Sequence, residues 1–286
     1  MTGLLVCAAL PRLRLGLALA VVAFSLTSIL AARARADQTP RIYWADSRLN
    51  VIGEANLNGS HVKQSFIRAY GPYGVAVSDS HIYWANMETN TIGEANLNGG
   101  DVRQKFIKGA NQPAGVAVDG SHIYWANLGS NTIGEANLNG TAVRQHLVSA
   151  DDPYGIAVDG KQIYWADLAS NEIGEATVDG KHVRQRFITG ASAPVGVAVD
   201  GSHIYWGNLG SDTIGEAALD GKRVRLRFIT GAHEPTWTAL DASHIYWANS
   251  HAIGRAKLTG AGVKQRFIAT DEPFGLGVSR EAIDRR

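Results

Sequence analysis

Hydrophobic and polar positions after residue 40 alternate in short bursts rather than along long amphipathic stretches. In one stretch the bursts read "AGVAV", "HIYWAN", "NTIGEA" and "VRQHLV", each four to six residues long and rich in β-branched and aromatic side chains. A period of two with that composition predicts half-buried strands, and no segment carries a convincing 3.6-residue period. The four bursts return as a set. The tyrosine of "YW" stands at 43, 83, 124, 164, 205 and 246, a step of forty or forty-one residues. Four strands per forty-residue repeat predict a β-propeller, in which every repeat is one blade.

Turn residues set the expected registers. Asn58-Gly59 falls between the third and fourth strands of the first unit, a strong two-residue hairpin signal because glycine accepts positive φ. Centring the hairpin there puts Glu54 opposite Lys63. The same spacing pairs Glu94 with Arg103, Glu135 with Arg144, Glu175 with Arg184 and Glu216 with Arg225. As cross-strand ion pairs each would contribute about 0.2–1 kcal/mol, so they report register more than stability. Asp119-Gly120, Asp159-Gly160 and Asp200-Gly201 supply an equivalent turn between the first and second strands.

Counting strands gives six of each kind, but out of phase with the chain. The first unit begins at its second strand and the last stops after its first. The orphan strand, Pro273 to Ser279, is therefore expected beside Ile42 to Asp46, closing a ring of six four-stranded antiparallel blades. Closure removes the sheet edges that an open array would expose. A seven-bladed ring would need strands that the chain does not contain.

Composition changes the picture mainly at the start. Arg12 and Arg14 precede the apolar run "LGLALAVVAFSLTSIL", which is short for a membrane span, and "ARA" ends at Ala36. Residues 1–36 read as a secretory signal peptide and residues 37–286 as a single propeller domain, with an uncleaved anchor as the alternative. The chain has 27 Lys and Arg against 26 Asp and Glu; the leader holds four of the arginines and no acid, so the remainder is slightly acidic. Nucleic-acid binding and polybasic membrane binding are therefore not expected. The one cysteine, Cys7, lies in the leader. A secreted or extracytoplasmic monomer without disulfides is expected, its stability coming from the core of about 250 residues.

The segments "IYWAD" and "EANLNG" resemble the YWTD repeat, also called the low-density lipoprotein receptor class B repeat. The likeness rests on Tyr43-Trp44 with Asp46, Tyr164-Trp165 with Asp167, the proline-glycine strands and the turn at Leu219-Asp220-Gly221, and it spans residues 41 to 279. The resemblance implies a six-bladed propeller. It departs from the family motif where threonine is alanine at 45, 85, 126, 166 and 248 and glycine at 207, and where aspartate is asparagine at 86, 127, 208 and 249. The cysteine-rich modules that flank the propeller in animal receptors are not found, so receptor behaviour is not implied. The chain looks like an exported bacterial relative.

A residue repeated in all six blades is expected to serve the blade. The six YW tryptophans belong to the core. His81, His122, His203 and His244 precede "IYW", but Gln162 breaks the series and no carboxylate accompanies each at ligand spacing, so a metal ring is disfavoured. The Asn or Asp ending each YW strand suits hydrogen bonds to a neighbouring backbone.

Function is sought where the repeats disagree. The loops leading into the inner strands read "AYGPY", "ANQPA", "ADDPY", "ASAPV", "AHEPT" and "TDEPF". In a propeller they lie on one face, round the mouth of the central channel. They supply Tyr73, Tyr154 and Phe274 beside Asp151, Asp152, His233, Glu234 and Glu272, and Trp237 stands where other repeats have glycine. Aromatic residues with a few acids form a recognition surface for an extracellular protein, peptide or glycan. In the sixth repeat Arg255 replaces the usual glutamate and faces Lys264; an external anion or acidic partner would compensate, or a solvated outer strand tolerates the pair.

Six-bladed and related propellers include metal-dependent lactonases and a streptogramin lyase, which keeps an enzyme open as an alternative; a structural envelope module is the third. A nucleophile paired with a base is not evident, and no catalytic residue, metal ligand or cofactor is assigned.

Overall fold

The computed structural model describes residues 39–279; the leader expected at 1–36 lies outside them. The described chain forms six four-stranded antiparallel sheets. Blade 1 takes Arg41–Asp46, Val51–Asn56 and Lys63–Arg68 as its second, third and outer strands. Blade 2 runs Pro72–Val77, His81–Asn86, Thr91–Asn96 and Arg103–Lys108 from inner to outer. Blades 3, 4, 5 and 6 repeat this unit from Pro113, Pro153, Pro194 and Thr238.

The inner strand missing from blade 1 is Leu276–Val278, with Ile42 opposite Val278 and Trp44 opposite Leu276. Backbone bonds from Ala45 N to Gly275 O (2.9 Å) and from Phe274 N to Ala45 O (2.8 Å) extend the seam at one end. Ser279 closes the other: its N donates to Arg41 O (2.9 Å) and its Oγ accepts from Arg41 N (2.7 Å). The ring is thus closed by the tail, as the strand count requires.

Each blade is built on a tryptophan lying over a glycine. Trp44 is the register partner of Gly53, and a Cβ on that glycine would sit 2.2 Å from the indole Cε2. The same pairing recurs from Trp84 on Gly93 to Trp247 on Gly254. All six indoles are fully buried, each removing about 150–250 Å² from water, an upper-bound contribution of about 4–6 kcal/mol. The core is therefore not one mass but six seams. Tyr43, Ala45 and Ile52 of blade 1 meet Val75, Ile82 and Trp84 of blade 2, and the pattern continues round the ring.

The Glu–Lys/Arg pairs hold their expected register, from Glu54 opposite Lys63 to Glu216 opposite Arg225. Two details differ from the sequence expectation. First, the connection is longer than two residues: the third strand ends at Asn56, Gly59 N bonds back to Asn56 O at 2.8 Å, and the register shifts between Ile52 and Glu54. Gly59 (φ 85°) and His61 (φ 54°) both take left-handed backbone. Second, the carboxylates are buried, Glu54 at 2% exposure, beneath outer cations that remain more than half exposed. Lys63 reaches Glu54 at 2.6 Å and Arg144 Nε reaches Glu135 at 2.9 Å. Losing such a cation would strand a desolvated charge, so each pair is worth more than a surface bridge, about 1.5–3 kcal/mol.

Candidate binding face at the ring axis

The face carrying the lead-in loops is stitched together by side-chain amides. Asn86 at the end of a YW strand accepts from Tyr70 N (3.2 Å) and donates to Gln104 O (2.8 Å), tying loop to blade. Asn127 and Asn208 do the same for Asn111 N and Ser192 N, as expected of that position. A second side-chain oxygen, from an amide or a carboxylate, ties blade to blade. Asn50, Asn90, Asn171 and Asp212 all hold left-handed backbone and accept from Gly71, Gln112, Ala193 and Glu234 N at 2.6–2.8 Å. Residues before the loop prolines also take positive φ: Gln112 (48°), Asp152 (40°), Ala193 (46°), Glu234 (54°) and Glu272 (36°). The loops are thus fixed in shape, each delivering the residue after its proline to the axis.

Those residues are Tyr73, Ala114, Tyr154, Val195, Thr236 and Phe274. The inner strands pack backbone against backbone: a Cβ on Gly115 would lie 2.5 Å from Tyr154 O, and one on Gly275 only 1.9 Å from Tyr73 O. So close a ring brings side chains from distant blades together. Phe274 meets Tyr73 edge-on at 4.7 Å between ring centroids, Trp237 at 6.0 Å and Tyr154 at 6.3 Å. Phe274 belongs to blade 1 and Tyr154 to blade 4, directly opposite, so the aromatic cluster crosses the axis. Edge-to-face contacts of this kind hold rings firmly, at about 0.5–1.5 kcal/mol each.

Tyr73, Tyr154 and Phe274 are half-buried and form the floor of the face. Trp237 lies deeper, 2% exposed, packed with Val195 and Leu276 as a wall of the core. Its blade's inner strand is Thr238–Leu240, as short as Leu276–Val278 of blade 1, with Thr236 N and Trp237 O taking up the hydrogen bonds of Ala248. Burial pushes the Tyr154 phenol up to about 12, with Tyr73 and the Asp152 carboxylate adding to it, so it stays protonated as a donor through neutral pH.

The acids stand round this floor. Asp152 is half-buried beside Tyr154; Asp151, His233, Glu234 and Glu272 are exposed. Glu272 reaches Arg48 Nε at 3.2 Å. Burial first, then the nearby Asp271 and Glu272 charges, raises the Asp46 carboxyl above its ordinary value against the opposing Leu49 N–H and Arg48. Sequence reading missed three members of this face: Arg48, and the exposed Leu49 and Tyr70 (44% and 48%). The signal was present, since Arg48 occupies the loop position where the second repeat has Glu88. The arrangement offers an aromatic floor with acidic edges and one basic side. Among the described residues no three His, Cys, Asp or Glu side chains are grouped so as to hold a metal ion, and no helix is long and apolar enough to cross a membrane.

Comparison with known proteins places this architecture. The profile of the low-density lipoprotein receptor repeat class B matches residues 40–75 and 80–119, the first two repeats. A chain of the nidogen/laminin complex superposes on 85% of this chain and 99% of its own, with a TM-score of 0.72 at 20% identity. A streptogramin B lyase superposes over 83% of both chains (TM-score 0.62, 18% identity), and virginiamycin B lyase from Staphylococcus aureus over 73% of both (0.56, 20%). A search of curated proteins finds no match. Identities this low establish the fold alone.

Proposed function

We propose that this six-bladed propeller, whose first two repeats match the low-density lipoprotein receptor repeat class B, is an exported, non-catalytic binding module that takes an extracellular protein, peptide or glycan on its axial face. One observation carries the reading. Four blades contribute Tyr73, Tyr154, Trp237 and Phe274 to one cluster, half open above and ringed by Asp152, Glu234 and Glu272, on the face where the otherwise uniform repeats differ. Rigid aromatic anchors within a polar rim are the composition of a protein recognition site. The nidogen/laminin complex lends support, as a propeller of the same fold found in a protein assembly. The leader expected at residues 1–36 supports export.

The test is crosslinking capture from the surface and medium of the producing cell, with Tyr73→Ala and Glu234→Gln variants of unchanged melting temperature. Loss of the captured partner supports the axial face, and an unchanged capture profile refutes it. Calcium, magnesium and zinc titrated by calorimetry test the alternative of a metal-dependent lyase or lactonase. A stoichiometric heat that Asp152→Asn and Glu234→Gln abolish would favour the enzyme.

A further inference from the structure

Blade 6 breaks the charge pattern of its siblings far from the axis. In blades 1 to 5 the third strand carries a buried glutamate beneath a cation of the outer strand. In blade 6 the third and outer strands carry Arg255, Lys257, Lys264 and Arg266, and no acid. Two of these are additions: position 255 is glutamate in the other five blades, and 257 matches Asn56, Asn96, Asn137, Thr177 and Ala218.

The packing explains how the substitution is accommodated. In blades 2, 4 and 5 the outer arginine lies over a phenylalanine, 4.3 Å from guanidinium carbon to ring centroid, while it binds the glutamate. In blade 6 Arg255 takes over that place from the neighbouring strand, 3.9 Å above Phe267, and donates to Leu57 O of blade 1 at 3.5 Å. Lys264, its register partner, is thereby released from both of its usual contacts. Lys257, Lys264 and Arg266 are exposed, and none of the four cations pairs with an acid among the described residues.

We propose that this edge of blade 6 binds an anionic polysaccharide. Arg255 and Lys257, two apart on the third strand, stand about 6.6–6.8 Å apart; Lys264 lies opposite Arg255 and Arg266 follows on the bulged outer strand, so the charges are spread along an open edge rather than converging in a pocket on one small anion. A single-stranded nucleic acid would need an aromatic platform for its bases, and the ring that could serve, Phe267, is covered by Arg255; a duplex would draw on about 6–10 phosphate contacts, more than these four cations supply. A repeating carboxylate or sulfate polymer needs only the row.

Heparin, a sulfated uronate polymer, is titrated calorimetrically against the whole chain at low ionic strength, about 50 mM, where screening is weakest. Arg255→Glu recreates the pairing of the other blades, with Lys264 free to cover Phe267 as Lys63 covers Phe66 at 5.1 Å. It is expected to keep its melting temperature and weaken binding at least about tenfold; Lys257→Asn weakens it about threefold, each with a shallower salt dependence. A control, Lys105→Gln with Lys108→Gln on blade 2, changes affinity less than about twofold. Polygalacturonate, carrying carboxylate alone, separates the two anion chemistries and binds the same edge. The proposal is overturned if wild type binds neither polymer, if Arg255→Glu binds as wild type does, or if the control loses as much. It is also overturned if free sulfate at equal ionic strength displaces the polymer completely, which would mark an adventitious ion only.

Discussion

Gly275→Ala is the sharpest probe of the closed ring. Gly275 sits where the tail strand passes the inner strand of blade 2, and a Cβ there would meet Tyr73 O at 1.9 Å and Gly74 Cα at 2.8 Å. Both are backbone atoms, so no side chain can swing aside. Either blade 2 shifts or the closing strand lifts. The damage is scaled by what holds that strand outside its ladder with Ile42–Trp44. Four hydrogen bonds at its ends, two through Ala45 and two between Arg41 and Ser279, amount to about 4 kcal/mol. The buried Leu276 adds about 2. Overpacking that the structure partly absorbs costs about 1–3 kcal/mol, so a loss of about 2–4 is expected. For a domain of this size that lowers the melting temperature by about 5–12 °C. Gly120→Ala is the control, because nothing lies within 4 Å of its Cβ, and it should change stability by less than about 0.5 kcal/mol. If Gly275→Ala melts within about one degree of wild type in calorimetry, or if Gly120→Ala falls equally, the tail does not pack against blade 2 as described.

Three further substitutions test separate parts of the scaffold. Asp46 has its carboxyl raised by burial, so the folded state holds the proton to higher pH than the unfolded state does and is penalised once both have lost it. Asp46→Asn should therefore stabilise at pH 7, with a gain that fades on acidification through the folded-state value; urea midpoints showing an equal gain at pH 7 and pH 4 would exclude this cause. Gln64, Gln145 and Gln185 donate to the preceding blade's outer strand at 2.7–3.0 Å, whereas blade 5 has Leu226, 37% exposed, in that place. Leu226→Gln should add a seam hydrogen bond worth about 0.5–1.5 kcal/mol and raise the melting temperature; an unchanged or lower value counts against the latch. Ala193 holds φ 46° before Pro194, so Ala193→Gly should be neutral or stabilising by up to about 1 kcal/mol, where this change in ordinary backbone costs 0.5–1. A clear drop in urea midpoint would mean that the loop is not strained there.

Periodicity and turn residues together carried the strands, the blade count, the closing strand and the register of five ion pairs, because each rests on local chemistry repeated from blade to blade. What it missed depends on depth and on distance along the chain. Glu54 looks like a surface partner for Lys63, and the spacing does not show that its carboxylate is buried and also held by Arg41 of the same blade. Asn58-Gly59 announces a tight turn, yet the shift beyond Ile52 lengthens the connection, since the outer strand must also carry Phe66 back onto the next blade's turn, where it meets Gly99. Tyr73, Tyr154 and Phe274 were legible as variable loop aromatics, but not as mutual contacts, being up to 201 positions apart in sequence. Trp237 read as surface and is core. Its replacement of glycine was the visible sign, and the direction of the side chain was not.

Repetition also explains how the two proposed sites could fit on so uniform a scaffold. Each seam buries a Trp–Gly pair, a tyrosine and a compensated glutamate, so one blade can lose part of that set while five still hold the ring. Blade 6 gives up the glutamate and retains its tryptophan, tyrosine and glycine. Its outer edge is freed to carry charge while Arg255 keeps Phe267 covered. At the axis the constraint is opposite: six backbones crowd together, glycine is demanded at five places, and the residue before each glycine is the one free to vary. That position supplies Tyr73, Tyr154 and Phe274. The geometry that forbids side chains at the glycines therefore concentrates variation one residue earlier, over the axis, and this is why the aromatic floor lies there and not on the blades.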